Sequence, residues 1–375
     1  MPDIAVHGQL ALDYLGHIQK QTGSTLTNGA SLRAADLYVS ANFNDSISAN
    51  LEFGFSPDGV ELGTAFIAFE NLLPMTDVLL GQVPSPFCLE NANSGKYLPF
   101  LERSLATAFK PCIGPGISVN HHQDSWAIKI AVKGTPLGHK RKKFNTTSNE
   151  IEKDSSYSNS FSDHYGVTVR GTWAPVLEDK MLVHTGLSFS YQSMAGTGQE
   201  NLTTFSVSEV KGRNTAKVAE NIPFFLKDYM VVGLELSPAY GPFQLEAEGL
   251  VTMTNPRVGK MDVFHALNAG ANWVITGQSR SYSVKDGSFG AIKRDEVGDF
   301  GIWQLGVRYS RLDLSTDTMK NVDANNLTFA LNWYPTEYLR LGMNYVMSMM
   351  SDNMKTVSGP NAPEGTLALR VQTVF

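Results

Sequence analysis

Leu327-Thr328-Phe329-Ala330-Leu331-Asn332-Trp333-Tyr334 and, after Pro335-Thr336-Glu337-Tyr338, Leu339-Arg340-Leu341-Gly342-Met343-Asn344-Tyr345-Val346-Met347-Ser348 carry the pattern that decides the fold. In the first segment Leu327, Phe329, Leu331 and Trp333 share one face, and Thr328, Ala330, Asn332 and Tyr334 the other. The second segment alternates in the same way, with Leu339, Leu341, Met343, Tyr345 and Met347 set against Arg340, Gly342, Asn344, Val346 and Ser348. Alternation with a period of two residues predicts a strand with one apolar and one wet face. Working outward, it recurs at Leu367 to Phe375, Trp303 to Ser310, Leu245 to Thr252, Gly166 to Trp173 and Trp126 to Lys133. No segment combines a helical period with helix caps, so an all-β fold is expected.

The connections separate a closed barrel from a sandwich or solenoid. Asn44-Asp45, Gln123-Asp124, Leu177-Glu178-Asp179, Pro238 to Pro242 and Pro335-Thr336-Glu337 read as short turns. Residues 17–30, 83–114, 137–162, 192–226 and 351–364 read as long connections. Short turns alternating with long loops are the mark of a transmembrane barrel with short periplasmic turns and longer external loops. Walking the chain under this up-and-down rule gives about sixteen antiparallel strands in one domain over 1–375. Two segments break the regularity. Residues 83–114 are rich in Pro, Gly and aromatics, and residues 276–300 are too long for an ordinary periplasmic turn. Both are expected to fold against the lumen.

Composition agrees with this reading. Of 375 residues, 42% are hydrophobic, with 33 Gly and a net charge of -6. No apolar run is long enough for a membrane helix, which leaves a barrel untouched because polar lumen residues dilute its hydropathy. The net acidity argues against a nucleic-acid partner. No leader is visible, since Met1-Pro2 runs directly into Ile4-Ala5-Val6, and the sequence reads as a mature exported chain with an added start Met. The final Phe375 after an alternating strand looks like the recognition signal of outer-membrane barrels. Cys88 and Cys112 are too few for a disulfide scaffold and lack zinc spacing. In an oxidising envelope they could pair or remain free thiols, and the sequence leaves both open. His121-His122 beside Asp124 does not form a catalytic or metal site, because neighbouring strand residues point to opposite faces.

Four segments resemble the phosphate-selective porin O and P family. They are Leu32 to Ser40, with Arg33; Gly81 to Phe87 followed by Lys96-Tyr97-Leu98-Pro99-Phe100-Leu101-Glu102-Arg103; Thr276 to Tyr282 with Gly287 to Lys293; and Leu305 to Leu314 with the final strands. They span nearly the whole chain in the family's order. The resemblance implies a homotrimer of sixteen-stranded barrels in the bacterial outer membrane. It also implies that 83–114 constricts the pore and that 276–300 folds inward from the periplasmic side. Passive diffusion of small hydrophilic solutes needs no cofactor and no catalytic residue.

Fixed cations and donors would select anions in such a pore. Arg33, Lys96, Arg103, Lys110, Arg213 and Arg280 are the candidates nearest the solute path. Parity also sends Lys129, Lys133, Arg170, Arg308, Arg340 and Arg370 to the lumen, along with the acids Glu52, Glu235, Glu246 and Glu248. The family's phosphate-specific members carry closely spaced arginines on the second strand, where Ala34 and Asp36 stand here. They also carry an arginine ladder on a later loop, where 208–218 offers Lys211, Arg213 and Lys217 beside Glu209. These departures favour a weakly anion-preferring or mixed pore over a phosphate or polyphosphate channel. The run His139-Lys140-Arg141-Lys142-Lys143 could meet lipopolysaccharide phosphates, though a solvated loop is the blander reading. A surface adhesin or antigen that uses its external loops is the alternative outside transport.

Overall fold

A pleat with alternate apolar residues has one oily and one polar surface, and closing it on itself hides the polar one. A computed structural model of the chain shows that closure. It describes residues 2–18, 22–56, 59–134, 142–145, 150–153, 165–194, 206, 208–211, 226–256, 259–294, 297–317 and 319–375, with only the backbone of 142–145 and 150–153. In chain order the strands are β1 (Asp3–Ile18), β2 (Gly29–Asn44), β3 (Ile47–Ser56), β4 (Gly59–Leu73), β5 (Thr76–Val83), β6 (Gly114–His122), β7 (Trp126–Gly134), β8 (Lys142–Asn145), β9 (Glu150–Lys153) and β10 (Tyr165–Leu177). They continue with β11 (Met181–Ser193), β12 (Leu226–Tyr240), β13 (Phe243–Pro256), β14 (Asp262–Val274), β15 (Arg280–Ser283), β16 (Ser288–Ile292), β17 (Ile302–Asp313), β18 (Asp323–Tyr334), β19 (Leu339–Met350) and β20 (Gly365–Val374).

Sixteen of these strands form one closed antiparallel barrel, and β8–β9 and β15–β16 are separate hairpins. The seam runs from Gln9 opposite Val374 to Ile18 opposite Gly365, so no strand of the barrel is left as an edge. Gly8 and Phe375 exchange both backbone hydrogen bonds at its lower end. A Cβ on Gly8 would stand 2.2 Å from the Phe375 ring, so a larger residue there would push that ring aside.

The strand expectations hold with local corrections. Pro238 lies inside β12 opposite Val183, and the turn is Gly241-Pro242. The β13 ladder skips Pro238, running from Leu236–Ala247 to Ala239–Gln244, which suits a residue with no N–H. The connection after β3 spans only 57–58, so external loops are not uniformly long. The 351–364 connection contains a short helix, α2 (Asp352–Ser358), capped by the Ser351 hydroxyl accepting from Met354 N–H and ended by Gly359 at φ 71°. Seven residues show too little of a helical period to be read from sequence.

The lumen is filled on one side. Residues 84–113, which include the one-turn helix α1 (Leu89–Ala92) and the tight turns Gly95–Tyr97 and Leu105–Phe109, leave the external end of β5 and enter the barrel. Phe87, Leu105, Ala106, Ala108 and Phe109 bury against lumen-facing Tyr229, Val231, Leu250, Phe264, Leu312 and Ala324. Phe109 stacks on Phe264 at 5.9 Å. An apolar patch inside the wall of β12, β13, β14, β17 and β18 thus receives an apolar segment, and hydrophobic burial chooses which wall the segment lies on.

Candidate functional site

Ion pairs complete what the apolar contacts begin. Lumen-facing Arg308 on β17 donates to Glu90 at 2.9 Å and to Glu209 at 2.6 Å, tying both 83–114 and residues 208–211 to the wall. Arg370 on β20 pairs with Asp13 at 2.7 Å and Glu102 at 2.8 Å, and donates to the Leu101 carbonyl. Arg340 on β19 donates to the Pro99 carbonyl and to Asn332. Arg170 on β10 forks onto Glu235 and donates to the carbonyls of Asp286 and Gly287. That last fork holds the inward segment containing β15–β16, helped by His184 against Tyr282 at 2.8 Å. The two inward segments also grip each other, through Phe289 N–H to the Asn93 side chain and Arg280 to the Tyr97 carbonyl. Arg170, Arg308, Arg340 and Arg370 are all buried and act as braces. Parity had put them in the lumen, but their bracing role was not read from the sequence. The available signal was that Arg170, Arg308 and Arg370 sit midway along their strands in a barrel that encloses long acid-bearing insertions.

With 83–114 braced on β12 to β20, the solvent-lined part of the lumen runs along β2, β3 and β4. Asp36, Tyr38, Asn50, Glu52 and Thr64 are only partly buried there, whereas lumen residues such as Ser188, Ser237, Asn326 and Thr328 on the far wall have no exposure. Facing the open side from the inserted segment are Lys96, Arg103, Thr107 and Lys110. Lys96 Nζ lies 3.9 Å over the Tyr38 ring. Arg103 donates to the Glu90 and Asn93 carbonyls, which fix its direction without cancelling its charge.

The expected cations therefore part company. Arg33 is paired with Glu102 through both nitrogens of its fork. Burial pushes Glu102 up, but Arg33, and after it Arg370 and Lys211, outweigh this and bring its pKa down to about 2. Lys96, Arg103 and Lys110 lie on the inserted segment with no carboxylate partner among the described residues. Burial first, then Arg103 and Lys211, bring Lys110 down to about 8. Arg280 is spent on carbonyls and Gln244, stitching 276–294 together. Arg213 lies outside the described residues, as does the side-chain structure of 139–143.

The disulfide is not formed: Cys88 is buried, Cys112 is exposed, and both are free. Ser85 donates to the Cys112 carbonyl, but by Cys88 the chain has crossed to β11 and β12, where Cys88 N–H reaches Ser188. Gly233 admits the thiol; a Cβ there would meet its sulfur at 2.4 Å. Burial, with Glu248 and Glu235 nearby, pushes the Cys88 thiol up, so it is a poor nucleophile. His121 lies opposite lipid-facing Ile128 and against Trp126, while His122 lies opposite lumen-facing Ala127, so the imidazoles point apart. Among the described residues, no group of three His, Cys, Asp or Glu could hold a metal.

A closed sixteen-stranded barrel, apolar outside and polar within, with chain folded into its lumen, defines an outer-membrane porin. The chain belongs to the phosphate-selective porin O and P family, whose model matches residues 4–375. It is 23% identical over 345 residues to porin O of Pseudomonas aeruginosa, covering 85% of this chain and 75% of that one. Its fold is similar to that of OmpT, an outer membrane protein of Vibrio cholerae solved in trimer form, at a TM-score of 0.58, 9% identity and coverage of 100% and 99%. It is also similar in fold to an anion-selective porin from Comamonas acidovorans, at a TM-score of 0.55, 10% identity and full coverage of both chains. The protein is a channel of the bacterial outer membrane.

Proposed function

We propose that this porin passes small hydrophilic solutes by diffusion, with mixed and weakly anion-preferring selectivity, through a passage narrowed by 83–114 and 276–300. One observation carries the reading. The lumen arginines Arg33, Arg170, Arg308 and Arg370 are neutralised by acids, which leaves Lys96, Arg103, Lys110 and Lys211 as cations without an ion-pair partner among the described residues, opposed by Asp36 and Glu52. Fixed charge of both signs along one aqueous path gives weak net preference. The reversal potential of the reconstituted protein across a potassium chloride gradient tests this. The expected value is small and on the anion side, with no block by added phosphate. A strong anion potential with phosphate block would instead support the phosphate-selective reading, which the family and the proximity of Arg33, Arg103, Lys110 and Lys211 favour.

A homotrimer fits the outer surface. All five tryptophans, Trp126, Trp173, Trp273, Trp303 and Trp333, lie near the periplasmic turns of β7, β10, β14, β17 and β18. Trp belts mark a lipid interface. The corresponding level of β1 to β5 shows Ile4, Val6, Phe43, Leu72 and Leu73 instead, a face suited to a neighbouring protomer. Mass measurement of the detergent-solubilised protein by light scattering should return three chains.

A further inference from the structure

The charges lining the passage are sorted by side. On the wall of β2 and β3, Asp36 is bonded to Gln9, and Glu52 to Thr64 and the Tyr38 hydroxyl. All three partners are neutral donors that leave a carboxylate's charge intact. Glu61, on the same lumen parity of β4, is exposed. Neither Asp36, Glu52 nor Glu61 has a cation in contact among the described residues, whereas Asp77 lower on this wall is paired with Lys285. Across the passage stand Lys96, Arg103 and Lys110. Lys96 and Arg103 are close enough to the wall for both sides to act together: the Lys96 ammonium sits over Tyr38, which lies between Asp36 and Ser40 in sequence and opposite Glu52 in register.

A solute in this slot feels a field directed across the passage. A singly charged anion is drawn to the inserted segment but repelled by the wall, and a cation meets the reverse. A small molecule carrying one anionic and one ammonium group can satisfy both sides at once by turning broadside. We infer that the slot favours dipolar solutes, the class of free amino acids and short peptides, over neutral solutes of similar size. This rests on the diffusion-porin reading and names its solute class. Two contacts of several ångströms each at a water-like dielectric amount to about a fivefold advantage.

The test is swelling of proteoliposomes in isosmotic glycylglycine against isosmotic arabitol, a neutral polyol of comparable size. Glycylglycine should enter about fivefold faster. In the double variant Asp36→Asn, Glu52→Gln the ratio of the two rates should fall to about one. The unmodified protein supplies a second check free of folding effects: in 1 M potassium chloride, where the screening length is about 3 Å, the ratio should also collapse. Equal rates in the unmodified protein at low salt, or a ratio indifferent to salt, overturn the dipolar slot and leave the porin reading standing. Swelling in neither solute overturns the porin reading itself.

Discussion

Arg308 contacts two carboxylates from two different segments, and its removal would strand both in a buried site. Breaking a buried pair on one side costs about 3–5 kcal/mol. Arg308→Met should therefore loosen 83–114 inside a barrel that still closes. Limited proteolysis should newly cut that segment, and single-channel conductance should rise. Lys96 and Arg103 predict something else, because no acid neutralises them: replacing both by Glu should move the reversal potential to the cation side, and an unchanged potential would remove them from the solute path. Lys110 adds a pH dependence. Burial and its cationic neighbours lower its pKa to about 8, so it loses its proton as pH rises through that value while the arginines keep theirs. The anion preference should fall between about pH 7 and 9 and should not do so in Lys110→Met. Glu102 works in the opposite sense. Its pKa is depressed to about 2, so its contribution to stability is complete above the ordinary carboxylate range and is lost only as pH falls toward 2.

At the scale of the element, the strands were readable because alternation is imposed by the pleat itself, and Arg340, Arg370 and Glu248 lie on the faces their parity requires. What alternation could not show is the partner across the lumen. Arg370 meets Asp13 and Glu102 over separations of 357 and 268 residues, so its neutralisation is a property of closure rather than of any local pattern. The inward segments were legible as anomalies of length. The wall they lie on is marked by places where lumen-facing positions turn apolar: Tyr229 and Val231 on β12, Phe264 and Ala266 on β14. The state of Cys88 stayed open in the sequence for the same reason, since its neighbour, Gly233, is remote along the chain. Phe109, stacked on Phe264, is the apolar anchor of this docking. Phe109→Ala should cost about 3–5 kcal/mol of it. The expected signature is larger conductance noise at unchanged barrel melting, and quiet conductance would transfer the anchoring role to the ion pairs.

The whole molecule is a ring whose first and last strands must find each other. The β1–β20 seam joins residues more than 340 positions apart, and such non-local pairing is slow. The apolar wall that receives 83–114 lies on β12, β13, β14, β17 and β18, inside that seam. The plug can therefore settle onto an open, curved sheet before the circle is complete. Assembly then resembles packing a case before shutting its lid: the contents help to set the curvature, and Phe375 laid over Gly8 is the clasp. Until the clasp engages, β1 and β20 each present a bare ladder of donors and acceptors, and each is an invitation to mispairing.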